Sequence, residues 1–138
     1  MTRINAAIAY LREQGNDFVV MVAHSCGTHM ANRWIEKTGG GDVSAVVMIG
    51  MGATDRGQPM QDEFHLDKLR VPVLDIMALN DFPAVRGYAP TRLVQIKTAS
   101  RSMSRQRMVP GANHYFTDSG DALIEVIADW LDDNWPAE

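Results

Sequence analysis

Three largely apolar stretches of the chain predict the strands of a sheet. They are Phe18–Ala23, Val43–Ile49 and Val71–Leu79, and Arg105–Val109 predicts a short fourth strand. A run with little polar alternation is typical of a strand that is covered on both faces, as in a parallel sheet. The pattern therefore favours parallel pairing of these segments.

Between the strands, apolar residues recur at the three- to four-residue spacing of helices. The first helix follows Thr2, which can cap it, and the second ends at Gly39–Gly41. We predict a third helix over Pro90–Ser102 and a last one behind a cap at Thr117 or Asp118. The stripes comprise Ile4, Ala7, Ile8 and Leu11 in the first helix, Met30, Ala31, Trp34 and Ile35 in the second, and Leu123, Val126, Ile127, Trp130 and Leu131 in the last.

Strands and helices that alternate in this way build a parallel sheet with helices on both of its faces. We therefore predict an α/β fold with a small sheet of about four strands. No internal repeat, low-complexity tract or linker interrupts the pattern, so we expect one domain over residues 1–138. In such sheets the working site lies beyond the carboxyl ends of the strands, and polar residues there are the first candidates for chemistry.

Composition narrows the classes of partner. The chain has 138 residues, a formal net charge of −4 and a single cysteine, so no internal disulfide can form. The acidic balance disfavours a nucleic-acid partner, which requires a basic face. The longest apolar run, Ala45–Ala53, falls short of the roughly 20 residues of a membrane helix. The residues from Met1 to Tyr10 lack the apolar region of a signal peptide, and we expect a cytoplasmic protein.

The segment Ala23–Gly27 matches a nucleophile elbow, small-x-Ser-x-small, between a predicted strand and a predicted helix. The serine of an elbow occupies a tight turn, so the residues two positions away must be small, as alanine and glycine are here. The turn exposes the oxygen of Ser25 beyond the sheet. It also aims the backbone N–H of Cys26 at the position of a developing oxyanion. We predict that Ser25, and not the Cys26 thiol, is the nucleophile.

An acid and a histidine follow the serine at two later strand ends. Asp81 comes directly after the third predicted strand, and His114 follows the fourth. The order serine, acid, histidine is that of hydrolases with a nucleophile elbow. Asp55 follows the second strand and is the alternative acid. We prefer Asp81 because it occupies the commoner position.

The other histidines have weaker claims to a role in chemistry. His24 adjoins Ser25, but successive side chains diverge, so we interpret it as a packing or loop-bonding residue. His29 and His65 lack an HExxH or cysteine-rich context, and we expect no metal site. Asp75 lies inside the third strand, and we interpret it as structural.

The elbow at Ala23–Gly27, Asp81 behind its strand and the segment Pro110–His114 together resemble the α/β-hydrolase superfamily, in an uncharacterised bacterial branch. The resemblance covers most of the chain. It implies that Ser25 is the nucleophile, His114 the general base and Asp81 the carboxylate that orients the base.

Two departures from the superfamily pattern change the picture. The first elbow residue is Ala23 where glycine is commoner. The superfamily sheet also has more strands than the four predicted here, so we expect the chain to correspond to the C-terminal part of that fold. The loop that supplies the second oxyanion donor would then be missing.

The resemblance implies hydrolysis of a carboxylic ester or a related acyl bond of a small molecule, through an acyl-enzyme and without a cofactor. The alternative is a non-catalytic remnant of a hydrolase that binds a small molecule or a partner chain. The strand Phe18–Ala23 contains no Lys, no Pro and no charge to protect an exposed edge. We therefore expect this strand to pair with a second copy of the chain in a homo-oligomer.

Overall fold

Four strands and five α-helices alternate along the chain in a computed structural model that describes residues 2–52, 63–99 and 102–136. The strands are β1 (Val20–His24), β2 (Ala45–Ile49), β3 (Val73–Asn80) and β4 (Arg105–Asn113). The helices are α1 (Thr2–Glu13), α2 (Cys26–Thr38), α3 (Pro83–Gly87), α4 (Ala89–Thr98) and α5 (Gly120–Asn134), and a short 3₁₀ helix covers Leu66–Lys68.

The sheet is entirely parallel, and its spatial order, β1-β2-β3-β4, is the order of the chain. The register pairs His24 with Ile49 and Ile49 with Ile76, so the first three strands end close together. The predicted α/β class with a parallel sheet of four strands is confirmed. The carboxyl ends of all the strands consequently meet along one edge.

Helices cover both faces of the sheet, as predicted. On one face, the apolar side chains of α1, α2 and α4 pack on Val46, Met48 and Val73. On the other face, α5 packs through Trp130 and its partly buried neighbours on Val47 and other strand residues. Every residue of β2 is buried, which is the physical reason for its uninterrupted apolar sequence.

Several local predictions were wrong. The last helix begins after Ser119, and Asp118 adopts a left-handed φ of 57° in the preceding turn instead of capping the helix. The helix predicted over Pro90–Ser102 is present as α4, but it begins at Ala89, ends already at Thr98 and follows a separate short helix, α3. The fourth strand also continues four residues beyond Val109, to Asn113.

Met30 was wrongly assigned to the buried stripe of α2, because its side chain is 64% exposed. Polar residues occupy the buried face in its place. Thr28 donates a hydrogen bond to the carbonyl of Ser25, and Asn32 donates one to the carbonyl of Glu63. Side chains whose hydrogen bonds are satisfied can be buried at little cost, and hydrophobic spacing alone does not detect them.

The described part of the chain contains no helix with the length and apolarity that spanning a membrane requires.

Candidate active site

Ser25 occupies the turn between β1 and α2 in a conformation that residues with a side chain rarely adopt, with φ 52° and ψ −121°. Such backbone strain costs about 1–3 kcal/mol and persists only where the surroundings enforce it. Here the N–H of Ser25 donates to the carbonyl of Ile49 at 2.9 Å, which ties the turn to the end of β2. A Cβ at Gly27 would lie 3.9 Å from the Cβ of Ala23, which is an ordinary van der Waals contact, so an alanine would also fit at this position.

A continuous chain of hydrogen bonds joins Ser25, His114 and Asp81. The Nε2 atom of His114 lies 2.8 Å from Oγ of Ser25, and its Nδ1 atom lies 2.6 Å from Oδ1 of Asp81. An ionised carboxylate can only accept, so Nδ1 carries the proton. Nε2 is then the acceptor for the serine hydroxyl, and a general base requires this arrangement.

Each of the three side chains is placed by the end of a different strand. Ser25 follows β1, Asp81 follows β3 and His114 follows β4. His114 and Asp81 are buried, whereas Ser25 is partly exposed. The parallel order of the sheet thus brings together residues that are 89 positions apart in the chain.

The carboxylate of Asp81 is held by the backbone around it. Its Oδ2 atom accepts from the N–H of Ala78 at 3.1 Å, and Oδ1 accepts from the N–H of Phe82 at 2.8 Å. With His114 as a third donor, the carboxylate is fixed in orientation.

The rival acid, Asp55, lies outside the described residues. The other predicted participant, the backbone N–H of Cys26, is the first of helix α2. The first N–H groups of a helix have no acceptor within it, and the helix dipole favours negative charge there. The Cys26 side chain is exposed, as a neighbour of Ser25 in the same turn.

Gly50, which the sequence pattern did not single out, lies against the imidazole of His114. It follows β2 with a left-handed φ of 64°, and a Cβ there would lie 2.9 Å from Cε1 of His114. Its N–H donates to the carbonyl of Ile76 at 2.9 Å. A glycine directly behind a buried strand, at the edge that holds the site, is the signal that could have identified it.

Rings from three neighbours surround His114. Phe82 stacks on its imidazole with the ring centroids 4.2 Å apart, and Tyr115 meets it edge-on at 5.1 Å. His24 has its ring centroid 5.1 Å away, and its Nε2 donates to the carbonyl of His114 at 2.9 Å. His24 is therefore a loop-bonding residue that fixes the backbone of His114, as the sequence indicated.

A second buried polar cluster lies deeper in the same sheet, around Asp75. Its Oδ2 atom accepts from Nε of Arg92 and from Nε2 of Gln106, both at 2.8 Å. Arg92 also donates to the carbonyls of Met51 and Val85. Burial raises the pKa of the Asp75 carboxyl, and the Arg92 guanidinium opposes that rise.

The two remaining histidines lie on and beside α2 and have ordinary structural surroundings in the described part of the chain. His29 is buried in α2, and Nε2 of His65 lies 3.7 Å from a carboxylate oxygen of Glu36. Over residues 2–52, 63–99 and 102–136, no three His, Cys, Asp or Glu side chains are grouped as metal ligands would be.

Solved structures share this fold at low sequence identity. An esterase domain of a protein from Rhodothermus marinus has a TM-score of 0.61 at 20% identity, over 94% of this chain and 66% of its own. A protein of unknown function from Agrobacterium tumefaciens, described as of α/β-hydrolase type, has a TM-score of 0.65 at 18% identity, over 91% of this chain and 56% of its own. NosK from Streptomyces actuosus has a TM-score of 0.60 at 16% identity, over 92% of this chain and 75% of its own.

These likenesses establish an α/β-hydrolase-like fold, as the resemblance implied. The chain spans about two thirds of the length of the Rhodothermus domain and 56% of that of the Agrobacterium protein. No curated protein matches the chain. The family described as "Protein of unknown function (DUF3530)" matches residues 1–132.

Proposed function

We propose that this chain, which belongs to the DUF3530 family of proteins of unknown function, is a serine hydrolase that cleaves a carboxylic ester or a related acyl bond. One observation carries the proposal: Ser25 Oγ, the imidazole of His114 and the carboxylate of Asp81 form an unbroken line of hydrogen bonds at 2.8 and 2.6 Å. The same relation of serine, base and acid performs acyl transfer on several unrelated folds.

The proposed reaction has two steps. Nε2 of His114 accepts the hydroxyl proton as Ser25 Oγ attacks the carbonyl carbon, and the carbonyl oxygen becomes an oxyanion near the N–H of Cys26. The intermediate collapses with cleavage of the acyl bond, and His114 returns the proton to the leaving oxygen. Water then attacks the acyl-enzyme with His114 as base, which releases the acid and restores the Ser25 hydroxyl. Asp81 stabilises the imidazolium that forms in each step.

The exposed edge of the sheet supports a second part of the proposal, self-association through β1. Among the residues that the structure describes, β2 is the one strand that pairs with β1. Val22 in β1 is 57% exposed and Phe18 before it is 47% exposed, although the strand carries no charge. An uncharged edge with free backbone groups is a template for pairing with another strand. We propose that a second copy pairs there, and the added strands are where a second oxyanion donor would come from.

Association is tested by sedimentation at micromolar concentration with Val22→Lys, which places a charge on the edge. We expect the unsubstituted chain to sediment as an oligomer and Val22→Lys to shift it towards the monomer. Val94→Lys is the matched control, because Val94 is 63% exposed on α4, away from the edge. A monomer at all concentrations, or an equal effect of both substitutions, would contradict edge pairing.

The nucleophile is tested by labelling with a fluorophosphonate probe and by turnover of a short p-nitrophenyl ester. We expect Ser25→Ala to abolish both, because removing a triad serine costs about 10⁶-fold in kcat. Cys26→Ser is the control, and it should keep most of the activity because the thiol is not the attacking group. Labelling or turnover that survives in Ser25→Ala would refute the assignment. A folded chain with neither activity would favour the non-catalytic alternative.

A further inference from the structure

Two exposed aromatic side chains border the candidate site. Phe82 is 39% exposed and Tyr115 is 71% exposed, and the two rings meet edge-on with centroids 6.2 Å apart. Both also contact the imidazole of His114. We refer to Phe82 and Tyr115 as the aromatic rim. Its rings lie beside the reacting atoms and not elsewhere on the surface, which distinguishes them from scattered apolar residues.

The backbone holds the aromatic rim in place. The N–H of Phe82 donates to the carboxylate of Asp81, and Oδ1 of Asn113 accepts from the N–H groups of Tyr115 and Thr117 at 3.0 and 3.2 Å. Phe116 takes a left-handed φ of 53° and is buried. The turn thus buries one aromatic side chain and leaves Tyr115, its neighbour, facing solvent.

The chemistry of His114 determines which part of a substrate meets the aromatic rim. His114 must deliver its proton to the leaving oxygen, so the leaving group lies within hydrogen-bond reach of Nε2. Rings packed on His114 therefore border the alcohol side of the ester and not the acyl side. An aromatic leaving group can pack against the edge or the face of these rings. It would also cover the exposed side chain of Tyr115, which adds apolar contact.

We propose that Phe82 and Tyr115 are specificity-determining residues that select esters with an aromatic leaving group, that is, esters of phenols. The inference rests on the proposed hydrolase function and adds the class of alcohol to it. The acyl group is left unrestricted by these two rings.

The test compares phenyl acetate with hexafluoroisopropyl acetate, which share one acyl group and have leaving alcohols of similar acidity. We expect a higher kcat/KM for the phenyl ester and an about tenfold loss of that preference in Tyr115→Ala, the size expected for one aromatic contact. Tyr115→Phe should keep the preference because it keeps the ring. Tyr10→Ala should also keep it, since Tyr10 is 61% exposed on α1, away from the site. An unchanged preference in Tyr115→Ala, or an equal loss for both esters, would overturn the inference.

A binding measurement separates this inference from the proposed function. The ¹⁹F signal of 4-fluorophenol should broaden in the presence of the unsubstituted chain and of Ser25→Ala, and it should sharpen with Tyr115→Ala. If the chain hydrolyses esters but its binding of 4-fluorophenol does not depend on Tyr115, only the proposed role of the aromatic rim is overturned. Tyr115-dependent binding without turnover overturns the hydrolase and leaves the rim as a phenol-binding site. The absence of both overturns both.

Discussion

Strand β3 carries one buried carboxylate in its middle and leads to another at its end, and the two have different partners. Asp75 is paired with Arg92, whose side chain is fully buried. Asp81 is paired with His114, whose other nitrogen reaches the partly exposed Ser25. Two aspartates, one within β3 and one directly after it, thus belong to two different networks.

The partner decides what each carboxylate can do. A guanidinium keeps its protons at any ordinary pH, so the Asp75 network has no proton to transfer and ends at the carbonyls of Met51 and Val85. An imidazole exchanges its proton readily. The Asp81 network also ends at a hydroxyl that can become a nucleophile. We infer that Asp75 serves stability and Asp81 serves catalysis, and substitutions in each network test that division.

The largest effect is expected from Asp81→Asn. The amide no longer fixes the tautomer in which Nε2 accepts the serine proton, and a change of this kind costs about 10⁴-fold in kcat. The measurement is turnover of a p-nitrophenyl ester by a variant whose folding is verified by circular dichroism. A loss below tenfold would exclude Asp81 as the acid. If Asp55→Asn then abolished turnover, the alternative acid would be the right one.

Arg92→Met should act on stability instead. It leaves the Asp75 carboxylate buried without its cation, and breaking a buried pair in this way costs about 3–5 kcal/mol in the free energy of unfolding. The double substitution Asp75→Leu and Arg92→Met should recover part of the loss, because it removes both charges. Urea unfolding measures both variants, and turnover per folded molecule should stay near that of the parent. A loss of turnover without a loss of stability would contradict the division.

The stability of Arg92→Met should also depend on pH, and the direction of that dependence can be predicted. Burial already raises the pKa of Asp75, and without Arg92 only the hydrogen bond from Gln106 still opposes that rise. A carboxyl whose pKa is raised in the folded state contributes stability below its unfolded pKa and loses it as the pH rises through the folded value. The deficit of Arg92→Met should therefore shrink as the pH falls towards about 4. A deficit that grows on acidification would contradict this reasoning.

Two glycines allow a further test of the difference between the two networks. Gly50 lies against the Asp81 network and Gly52 against the Asp75 network. A Cβ at Gly50 would lie 2.9 Å from Cε1 of His114, whereas a Cβ at Gly52 would lie 3.6 Å from Nη1 of Arg92. Both have a left-handed φ, so alanine strains both backbones by about 1–2 kcal/mol. Gly50→Ala should in addition displace the imidazole and lower kcat about 100-fold. Gly52→Ala is the matched control and should leave kcat near that of the parent; equal kcat losses would contradict the distinction.

Gln106→Leu should have the smallest effect. It removes hydrogen bonds of 2.8 Å to Oδ2 of Asp75 and to the carbonyl of Ala89. When a buried acceptor loses one of several donors, the free energy of unfolding falls by about 1–2 kcal/mol. Urea unfolding should show that loss with turnover unchanged. A change in kcat would indicate that the two networks are coupled through β3.

The sequence could predict the sheet and the strand ends because those depend on long apolar runs. The first three strands, their parallel pairing and the positions of Ser25 and Asp81 at strand ends follow from such runs. In contrast, β4 is largely polar, and its predicted segment, Arg105–Val109, ended four residues before the strand does. The elbow could also be predicted from the sequence, because its small residues and its serine are close together in the chain.

The remaining features depend on contacts between distant segments. Gly50 and Phe82 both contact the imidazole of His114. These contacts form only when the strands are aligned in the sheet. The pairing of Asp75 with Arg92 likewise joins β3 to α4, and no local pattern marks either residue as a partner. Helix boundaries were missed where local hydrogen bonds overrode the apolar spacing, as in the turn before α5.

The strands lie in space in the order in which they are synthesised, and this has a consequence for folding. Each new strand can dock beside the one before it, so the sheet can grow during translation, which proceeds from the N-terminus. Ser25 is supplied by the first of these strands and His114 by the end of the last. Under the proposed mechanism, a nascent chain therefore carries Ser25 without its proposed base until β4 joins the sheet, and the hydrogen-bonded line of Ser25, His114 and Asp81 can form only then.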